Sequence, residues 1–245
     1  MNNQTADDPL IKRQRLFRQT EPLLNELRLA EHGAQLFRGA ALADLPELEA
    51  AMDALPSDQA GIRLHGVTAL HSYLAPTGSI GMIASKAIGA EAKPVRAILF
   101  DKSAATNWSL GWHQDRTICA RERIDVPGFG PWSIKAGLHH VAPPIELLSR
   151  MVTLRVHIDD VPATNAPLLI APGSHRRGRL PESSVAQVVA ECGIAACFAE
   201  AGDVWAYSTP TLHASEAASH PAHRRVLQVD FSADDLPGGL EWLGV

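Results

Sequence analysis

The feature that most constrains the fold is a period-two alternation of residue types in the second half of the chain. In the segment 152–158 (VTLRVHI), four aliphatic residues alternate with Thr153, Arg155 and His157. Because successive side chains of a β-strand point to opposite faces, this segment predicts a strand with one apolar and one polar face. Similar runs, separated by turns rich in Pro, Gly and polar residues, occupy residues 94–100, 168–171, 204–208 and 224–231. Short strands of this kind close most naturally as a β-sandwich or jelly roll.

The N-terminal part of the chain follows a helical pattern instead. Apolar residues recur at three- and four-residue steps in two pieces, 22–37 and 42–55, and a further helical segment covers roughly 80–90. We find no internal repeat and no low-complexity linker, so the sequence predicts one domain over residues 1–245. Within it we expect a flexible stretch at 1–20, a mostly helical part at 21–92 and a jelly-roll core at 93–245. The predicted class is mainly β with flanking helices.

Charge and cysteine content exclude several classes of protein. The chain has 22 Lys and Arg against 27 Asp and Glu, a net charge of −5, which disfavours binding to nucleic acid or to an anionic membrane. The longest stretch without Asp, Glu, Lys or Arg, residues 64–85, is too polar to span a bilayer. Three cysteines without a C-x-x-C pair and a polar first twenty residues predict a reducing, cytoplasmic location.

One short motif could bind a metal. In the run GWHQD (111–115), His113 and Asp115 are two residues apart, so in an extended strand they point the same way. With one more histidine they would form the two-histidine, one-carboxylate site of non-haem Fe(II) oxygenases. The H-x-D pattern is weak by itself, because a hydrogen-bonded surface pair would look the same. His213 stands out as the third ligand because it follows the strand at 204–208, while six other histidines stay open: His139, His140, His157, His175, His220 and His223.

A buried arginine could bind an anion. In the strand at 224–231, Arg224 shares one face with Val226, Gln228 and Asp230, and the other face is mostly aliphatic. An unpaired guanidinium on the inner face is costly, so it needs an anionic partner. A dicarboxylate held by the guanidinium fork would serve, and a structural salt bridge to Asp230 or Glu216 is the alternative.

Three segments in order along the chain, GWHQD (111–115), 153–180 and 202–242, resemble the phytanoyl-CoA dioxygenase family of Fe(II)/2-oxoglutarate-dependent oxygenases. The similarity extends from about Phe37 to the C-terminus. It implies a double-stranded β-helix, a jelly roll of the cupin-like kind, with Fe(II), 2-oxoglutarate and O2 as cofactor and co-substrates. It also implies a set of site residues: His113, Asp115 and His213 as catalytic iron ligands, and Arg224 with Ser215 for the distal carboxylate of 2-oxoglutarate. Arg225 is the register alternative to Arg224, which the strand-face argument disfavours.

Further residues are weaker candidates for the co-substrate or substrate pocket. Lys102 and Asn107 lie just upstream of the iron motif, where members of the resembled family often contact these ligands, although a solvated lysine is the simpler interpretation. Arg155 and His157 could line the pocket or be satisfied core groups. Gln114 is expected to bond backbone or support the iron ligands from behind. The loop 125–132 (DVPGFGPW) could be a lid or a rigid surface turn.

The resemblance implies that the protein hydroxylates an unactivated C–H bond of a small molecule and releases succinate and CO2. Position 115 is Asp, not the Gly or Ala of similar halogenases, so halogenation is disfavoured. Desaturation or epoxidation by the same centre, a non-catalytic cupin-like metal-binding sensor, and a silent interaction module are the alternatives. We expect a small organic acid, amino-acid derivative or natural-product intermediate as substrate. The turn Ala166-Pro167 departs from the family pattern and should not touch the metal.

Overall fold

The protein is described by a computed structural model over residues 25–53, 55, 59 and 61–245. The stretch predicted to be flexible, 1–20, lies outside these residues. The described part is mainly antiparallel β, with these strands: β1 Ala34–Phe37, β2 Gly61–Leu64, β3 Lys93–Lys102, β4 Leu110–His113, β5 Ile118–Ala120, β6 Trp132–Lys135, β7 Leu138–Val141, β8 Val152–His157, β9 Leu168–Ile170, β10 Ala195–Cys197, β11 Val204–Ser208, β12 His213–Ser215 and β13 Arg224–Ser232.

The strands form a jelly roll, as the sequence predicted. A six-stranded major sheet has the order β1-β11-β8-β13-β3-β2, and a four-stranded minor sheet has the order β10-β9-β12-β4. The strands β5, β7 and β6 form a third, smaller sheet in the order β5-β7-β6. The longest pairing, between β13 and β3, runs from Arg224 opposite Lys102 to Ser232 opposite Lys93. The interior strands of the major sheet therefore carry most of the positions discussed below.

The two faces of the major sheet differ as the alternation predicted. Aliphatic side chains of β8 and β13, among them Leu154, Val156, Leu227 and Val229, belong to the largest hydrophobic cluster. The N-terminal helices cover this face, with Leu48 and Met52 buried in the same cluster. The opposite face carries buried polar side chains and is directed into the jelly roll. Burial of the aliphatic set against the helices thus fixes the register that turns the polar set inward.

Helices are short, as expected for segments that only cover a sheet. They are α1 Leu29–His32, α2 Leu45–Asp53, α3 His71–Leu74, α4 Gly81–Ile88, α5 Ile145–Ser149 and α6 Glu182–Cys192, with 3₁₀ turns at Leu42–Asp44, Thr68–Leu70 and Ser174–Arg177. The helices predicted at 42–55 and 80–90 correspond to α2 and α4. None of the helices in the described part of the chain is both long and apolar enough to cross a bilayer.

The prediction of helix over 22–37 is wrong for its last four residues, which form strand β1. Gly33 ends α1 with a left-handed φ of 76°, and its N–H donates to the carbonyl of Leu29. The chain then pairs with β11, where Ala34 and Leu36 pack on Trp205 and Tyr207. Residues 61–64, also within the part predicted as mostly helical, form β2. Edge pairing with the sheet outweighs the local helical pattern, and the N-terminal part supplies both edges of the major sheet.

Candidate active site

The sequence-predicted iron ligands lie together on the minor sheet. In the antiparallel pairing of β4 with β12, His213 lies opposite His113, and their ring centroids are 4.3 Å apart. Asp115 follows β4 by two residues. One ligand atom of each of the three side chains lies within 4.8 Å of the others. Strand pairing therefore brings together residues that are about a hundred positions apart in sequence.

Hydrogen bonds orient both imidazoles. His113 Nδ1 lies 2.7 Å from the carbonyl oxygen of Gly111, and His213 Nδ1 lies 2.9 Å from that of Thr211. A carbonyl oxygen can only accept, so each Nδ1 carries the proton and each Nε2 keeps a free lone pair. Burial lowers the pKa of His213 to about 4, which the charge of Asp115 only partly offsets. The His213 ring is therefore neutral near pH 7, as metal binding would require.

Arg96 is a functional residue that sequence reasoning missed. Its Nη2 lies 3.6 Å from Asp115 Oδ2, and its Nε donates to Asp230 Oδ2 at 2.5 Å. Asp230 also accepts from Thr153 Oγ1 at 2.9 Å. Burial alone would raise the pKa of Asp115, but the surrounding positive charges, with Arg96 as the largest opposing cause, together outweigh burial and the pKa lies below its usual value. The signal in the sequence was the single arginine inside the apolar strand 94–100.

Gln114 supports the ligand loop from behind, as expected. Its Nε2 donates to the carbonyls of Gly178 and Pro210, both at 2.9 Å, and its Oε1 accepts from the N–H of Leu180 at 2.9 Å. The side chain is buried. It therefore ties the segment between His113 and Asp115 to two other loops and uses its amide fully in doing so.

Arg224 and Arg155 form a cationic group on the inner face of the major sheet. Arg224 is buried, and its Nη1 donates to the carbonyl of Ala166, the residue of the unusual turn. Arg155 Nη1 donates to Gln228 Oε1 at 2.7 Å, an oxygen that also accepts from the hydroxyl of Tyr207 at 3.3 Å. Within the described residues, Nε of each arginine is buried and makes no hydrogen bond. Burial, then the charge of Arg155, lowers the pKa of Arg224 to about 9.

The structural alternative for Arg224 does not involve Asp230, whose carboxylate is paired with Arg96. The neighbouring Arg225 lies on the opposite face of β13. It binds Asp159 at 2.8 Å and Asp53 at 2.8 Å, on the side of the N-terminal helices. The strand-face argument thus places Arg224, rather than Arg225, inside the jelly roll.

Lys102 is not solvated, contrary to the simpler interpretation of its position. It is 2% exposed, lies opposite Arg224 in the sheet, and its Nζ donates to Ser215 Oγ at 2.9 Å and to the carbonyl of Trp108 at 2.7 Å. Burial, with smaller contributions from Arg224 and Arg155, lowers its pKa to about 7. Ser215 lines the cavity and Lys102 lies behind it. Lys102 therefore acts through Ser215.

Asn107 is placed differently from the prediction that it contacts a ligand. Its Nδ2 donates to the carbonyl of Ala218 at 3.0 Å, and its Oδ1 accepts from the N–H of the same residue at 2.7 Å. Both ends of the amide are occupied by backbone, and the side chain does not line the cavity. Asn107 joins the loop before β4 to the loop after β12, and its amide is not available to a co-substrate.

Two other weak candidates lie outside the cavity. His157 is buried on the same strand face as Arg155, and burial lowers its pKa well below the usual value. The loop 125–132 is not part of the cavity lining. Its Phe129 and Trp132 pack with Val141 and Trp242 in a separate apolar cluster. This packing favours the rigid surface turn over the lid.

A cavity of about 750 Å³ joins the predicted metal ligands to the cationic group. His113, Asp115 and His213 line it together with Arg155, Arg224 and Ser215. The remaining wall is partly aromatic and comes from α6 and from several strands, namely β2, β3, β4, β6, β7, β9, β12 and β13. A volume of this size accepts a small organic molecule beside a co-substrate.

The sequence model of the phytanoyl-CoA dioxygenase family (PhyH) matches residues 71–226 of the chain. The chain belongs to this family. The match includes β4 and β12 with the three predicted metal ligands and ends just after Arg224 and Arg225. No curated protein matches the chain significantly.

Solved structures share the fold of this PhyH family member. EctD from S. alaskensis with bound Fe has a TM-score of 0.61 and 19% identity, with 89% of this chain and 78% of that chain covered. EctD with 2-oxoglutarate and 5-hydroxyectoine has a TM-score of 0.58 and 16% identity, covering 89% and 77%. HygX from Streptomyces hygroscopicus with nickel and 2-oxoglutarate has a TM-score of 0.54 and 12% identity, covering 88% and 86%. At these identities the likeness supports the double-stranded β-helix fold.

Proposed function

We propose that this PhyH family member is an Fe(II)- and 2-oxoglutarate-dependent dioxygenase that hydroxylates a C–H bond of a small molecule. One observation carries the proposal: a triad of two histidines and a carboxylate lines one cavity together with two arginines whose Nε atoms are buried and make no hydrogen bond within the described residues. The triad matches the ligand set that Fe(II) oxygenases use. The arginines match the charge of a dicarboxylate.

The residues fit the metal. His113 and His213 would bind through Nε2, because both Nδ1 protons are donated to carbonyls. Asp115 Oδ2 is buried without a hydrogen bond within the described part of the chain and would supply the carboxylate ligand. These three residues would hold the ion and would leave its remaining coordination positions open for co-substrate and O2. When bound, this centre supplies the oxidative decarboxylation of 2-oxoglutarate to succinate and CO2, coupled to oxidation of the substrate.

The residues also fit 2-oxoglutarate. The guanidinium of Arg224, with Arg155 nearby, would bind the carboxylate far from the metal, and Ser215 would donate a hydrogen bond to it. Lys102 donates to Ser215 Oγ, which leaves the Ser215 hydroxyl hydrogen free to point at the carboxylate. Burial, and then the charge of Arg155, lowers the pKa of Arg224, and a bound anion would offset both effects. The protein's part in the reaction is to hold the co-substrate, orient the substrate C–H bond and exclude water.

Hydroxylation is the preferred outcome for two reasons. Residue 115 is Asp and supplies a carboxylate, whereas similar halogenases have Gly or Ala there and leave the position to chloride. The EctD structure contains 5-hydroxyectoine, a hydroxylated small molecule, together with 2-oxoglutarate. Desaturation and epoxidation by the same centre stay alternatives, and the cupin-like sensor is the alternative from another class. The sensor would bind metal without binding 2-oxoglutarate.

The test is an anaerobic titration of the metal-free protein with Fe(II) and then 2-oxoglutarate. We expect the weak visible charge-transfer band of the bidentate complex. His213→Ala should abolish the band, and Arg224→Gln should raise the 2-oxoglutarate concentration needed for half the signal by about tenfold or more. Arg225→Gln is the matched control, because the same charge is removed from the opposite face of the same strand, and it should leave the titration unchanged.

Metal binding without any band in the wild-type protein would favour the sensor over the oxygenase. If the band forms, turnover under isotopically labelled O2 distinguishes the oxygenase reactions. Incorporation of one labelled oxygen at a saturated carbon supports hydroxylation. Loss of two hydrogens without oxygen incorporation supports desaturation, and oxygen added across an alkene supports epoxidation.

A further inference from the structure

The cavity has unsatisfied polar atoms that the metal and 2-oxoglutarate do not use. Within the described residues, five buried polar atoms on cavity-lining side chains make no hydrogen bond: Arg63 Nε, Trp108 Nε1, Asp115 Oδ2, Arg155 Nε and Arg224 Nε. Asp115 is the metal ligand, and the last two arginines belong to the co-substrate group. Arg63 Nε and Trp108 Nε1 remain, and both are hydrogen-bond donors.

Arg63 belongs to a second basic region of the cavity. It lies on β2, opposite Ile98 of β3, and Ile98 in turn lies opposite Gln228 of β13. Cross-strand partners share a face, so Arg63 lies in the same inward row as Gln228 but at the edge of the sheet. Lys135 of β6 also lines the cavity. We call Arg63 and Lys135 the basic wall.

His140 lines the cavity together with the basic wall but does not compete for a ligand. Its Nδ1 donates to the carbonyl of Leu138 at 3.0 Å, so its Nε2 accepts from the thiol of Cys119 at 3.1 Å. Burial is the largest cause of the lowered pKa of His140, and the charges of Lys135 and Arg63 are among the further causes. His140 therefore has no free N–H for a substrate, whereas the basic wall does.

The charge of the cavity points the same way. Among the described residues, six Lys or Arg side chains line the cavity against two acidic ones, although the whole chain has a net charge of −5. Fe(II) and 2-oxoglutarate carry equal and opposite charges, so their binding together leaves the positive excess in place. Asp230, which does not line the cavity, neutralises the charge of Arg96. A positive excess in a partly enclosed site favours an anionic ligand.

The apolar lining describes the rest of that ligand. Phe100 and Trp108 lie with ring centroids 6.2 Å apart, and Leu110 of β4 and Val185 of α6 also line the cavity. Leu110 is 45% exposed. An apolar body packed on these side chains would be removed from water, which is favourable. A uniformly charged molecule would leave the same side chains exposed to water.

Resting on the proposed function, we propose that the primary substrate is a small molecule with an anionic group and an apolar body. Arg63 and Lys135 bind the anionic group, which is a carboxylate or phosphate, and the apolar body packs against Phe100 and Trp108. The indole N–H of Trp108 donates a hydrogen bond to an acceptor oxygen of the same molecule. The anionic group thus anchors the substrate at the edge of the major sheet, away from the arginines that hold 2-oxoglutarate.

The test uses calorimetry on protein loaded with Zn(II) and saturating 2-oxoglutarate, so that no turnover occurs. The probes are three carboxylates and their primary amides, namely phenylacetate, hexanoate and indole-3-acetate, with phenyl phosphate as the phosphate arm. We expect at least one anion to bind about tenfold or more tightly than its neutral counterpart. Tighter binding of phenyl phosphate than of phenylacetate would identify phosphate as the group, and the reverse would identify carboxylate.

Variants connect this preference to the basic wall. Arg63→Gln/Lys135→Gln should remove the preference for the anion and leave the affinity for 2-oxoglutarate within about twofold, because Arg155 and Arg224 are unchanged. Lys93→Gln/Arg121→Gln removes the same charge at exposed sites that pair with Asp235 and Glu241 outside the cavity lining, and should leave the preference intact. Trp108→Phe should weaken the bound anion less than the double variant does.

Two results would overturn the proposal. One is that no carboxylate binds more tightly than its amide in any of the three pairs and that phenyl phosphate binds no more tightly than these amides. The other is an equal loss of anion binding in the double variant and in its exposed control. Failure of the proposed function is a separate result, namely no 2-oxoglutarate binding to the wild-type protein. In that case the comparison of anion with amide, and of double variant with control, is repeated on metal-free protein.

Discussion

Arg96 and Asp230 form a buried ion pair whose disruption should give a pH-dependent loss of stability. Their side chains are 10% and 3% exposed, and Nε and Oδ2 are 2.5 Å apart. In Arg96→Gln the carboxylate of Asp230 stays buried with Thr153 as its remaining partner. Leaving one charge of a buried pair unpaired costs about 3–5 kcal/mol, so we expect a loss of this size at pH 7.5.

The loss should shrink as the pH falls, because Asp230 can take up a proton in the folded variant. One pKa unit corresponds to about 1.36 kcal/mol, so at a given pH the cost of keeping the carboxylate charged is limited to about 1.36 kcal/mol for each unit by which the pH exceeds the unfolded pKa of about 3.9. A carboxyl group with a raised folded pKa destabilises increasingly as the pH rises above the unfolded pKa. At pH 5 the cost should therefore be only about 1.5 kcal/mol. Asp115, also close to Arg96, would shift in the same direction.

The assay is urea unfolding of the metal-free wild-type and Arg96→Gln proteins at pH 5 and pH 7.5, with the difference in unfolding free energy compared between the two. Arg96→Met/Asp230→Leu removes both charges and should recover most of the stability, because apolar replacements of a buried pair are often neutral. Iron affinity should stay reduced by about 10- to 100-fold in both variants, since Asp115 has lost its neighbour. A pH-independent loss, or a double variant less stable than the single one, would refute this reasoning.

Four further outcomes are expected. Phe231→Ala should lower the unfolding free energy by about 3–5 kcal/mol in urea titrations, because a large, fully buried core side chain is lost, yet refolded protein should keep its iron affinity. Gln114→Ala should cost about 2–4 kcal/mol in the same titration, since three backbone groups lose a partner. In Asn107→Ala, the unfolding free energy should fall by about 1–3 kcal/mol with 2-oxoglutarate affinity changed less than about threefold; a larger change in affinity would restore Asn107 as a ligand contact. Finally, 2-oxoglutarate should bind about two- to tenfold more weakly at pH 8 than at pH 6, because Lys102, with a pKa of about 7, loses its charge as the pH rises, and Lys102→Met should remove that pH dependence.

The jelly roll and the metal ligands could be predicted because their signals are local or come from the family resemblance. Strict alternation in β8 and β13 fixes which face is buried, so the inward position of Arg224 followed from the same pattern. Strand β1 could not be predicted, because its four residues fit a helix equally well and only pairing with β11 decides their conformation. Local periodicity contains no information on such an edge.

The parts of the site that escaped prediction depend on contacts between distant segments. Lys102 is an ordinary loop lysine in sequence, and only its position opposite Arg224 buries it. Asn107 precedes the iron motif, yet the backbone of Ala218 takes up its amide. Arg96 could have been suspected as a charge within an apolar strand, but its two carboxylate partners lie 19 and 134 positions away. Sequence position near a motif is thus a poor guide to contact with a ligand.

The location of the two basic groups has a consequence for how such an enzyme can diversify. Arg155 and Arg224 lie on β8 and β13, which have a hydrogen-bonded strand on both sides, whereas Arg63 and Lys135 lie on β2 and β6, each at the margin of its sheet. A substitution on a central strand disturbs two neighbours, while one on a margin disturbs a single pairing. Evolutionary change at Arg63 and Lys135 can therefore alter which substrate binds, while the residues proposed for Fe(II) and 2-oxoglutarate stay unchanged.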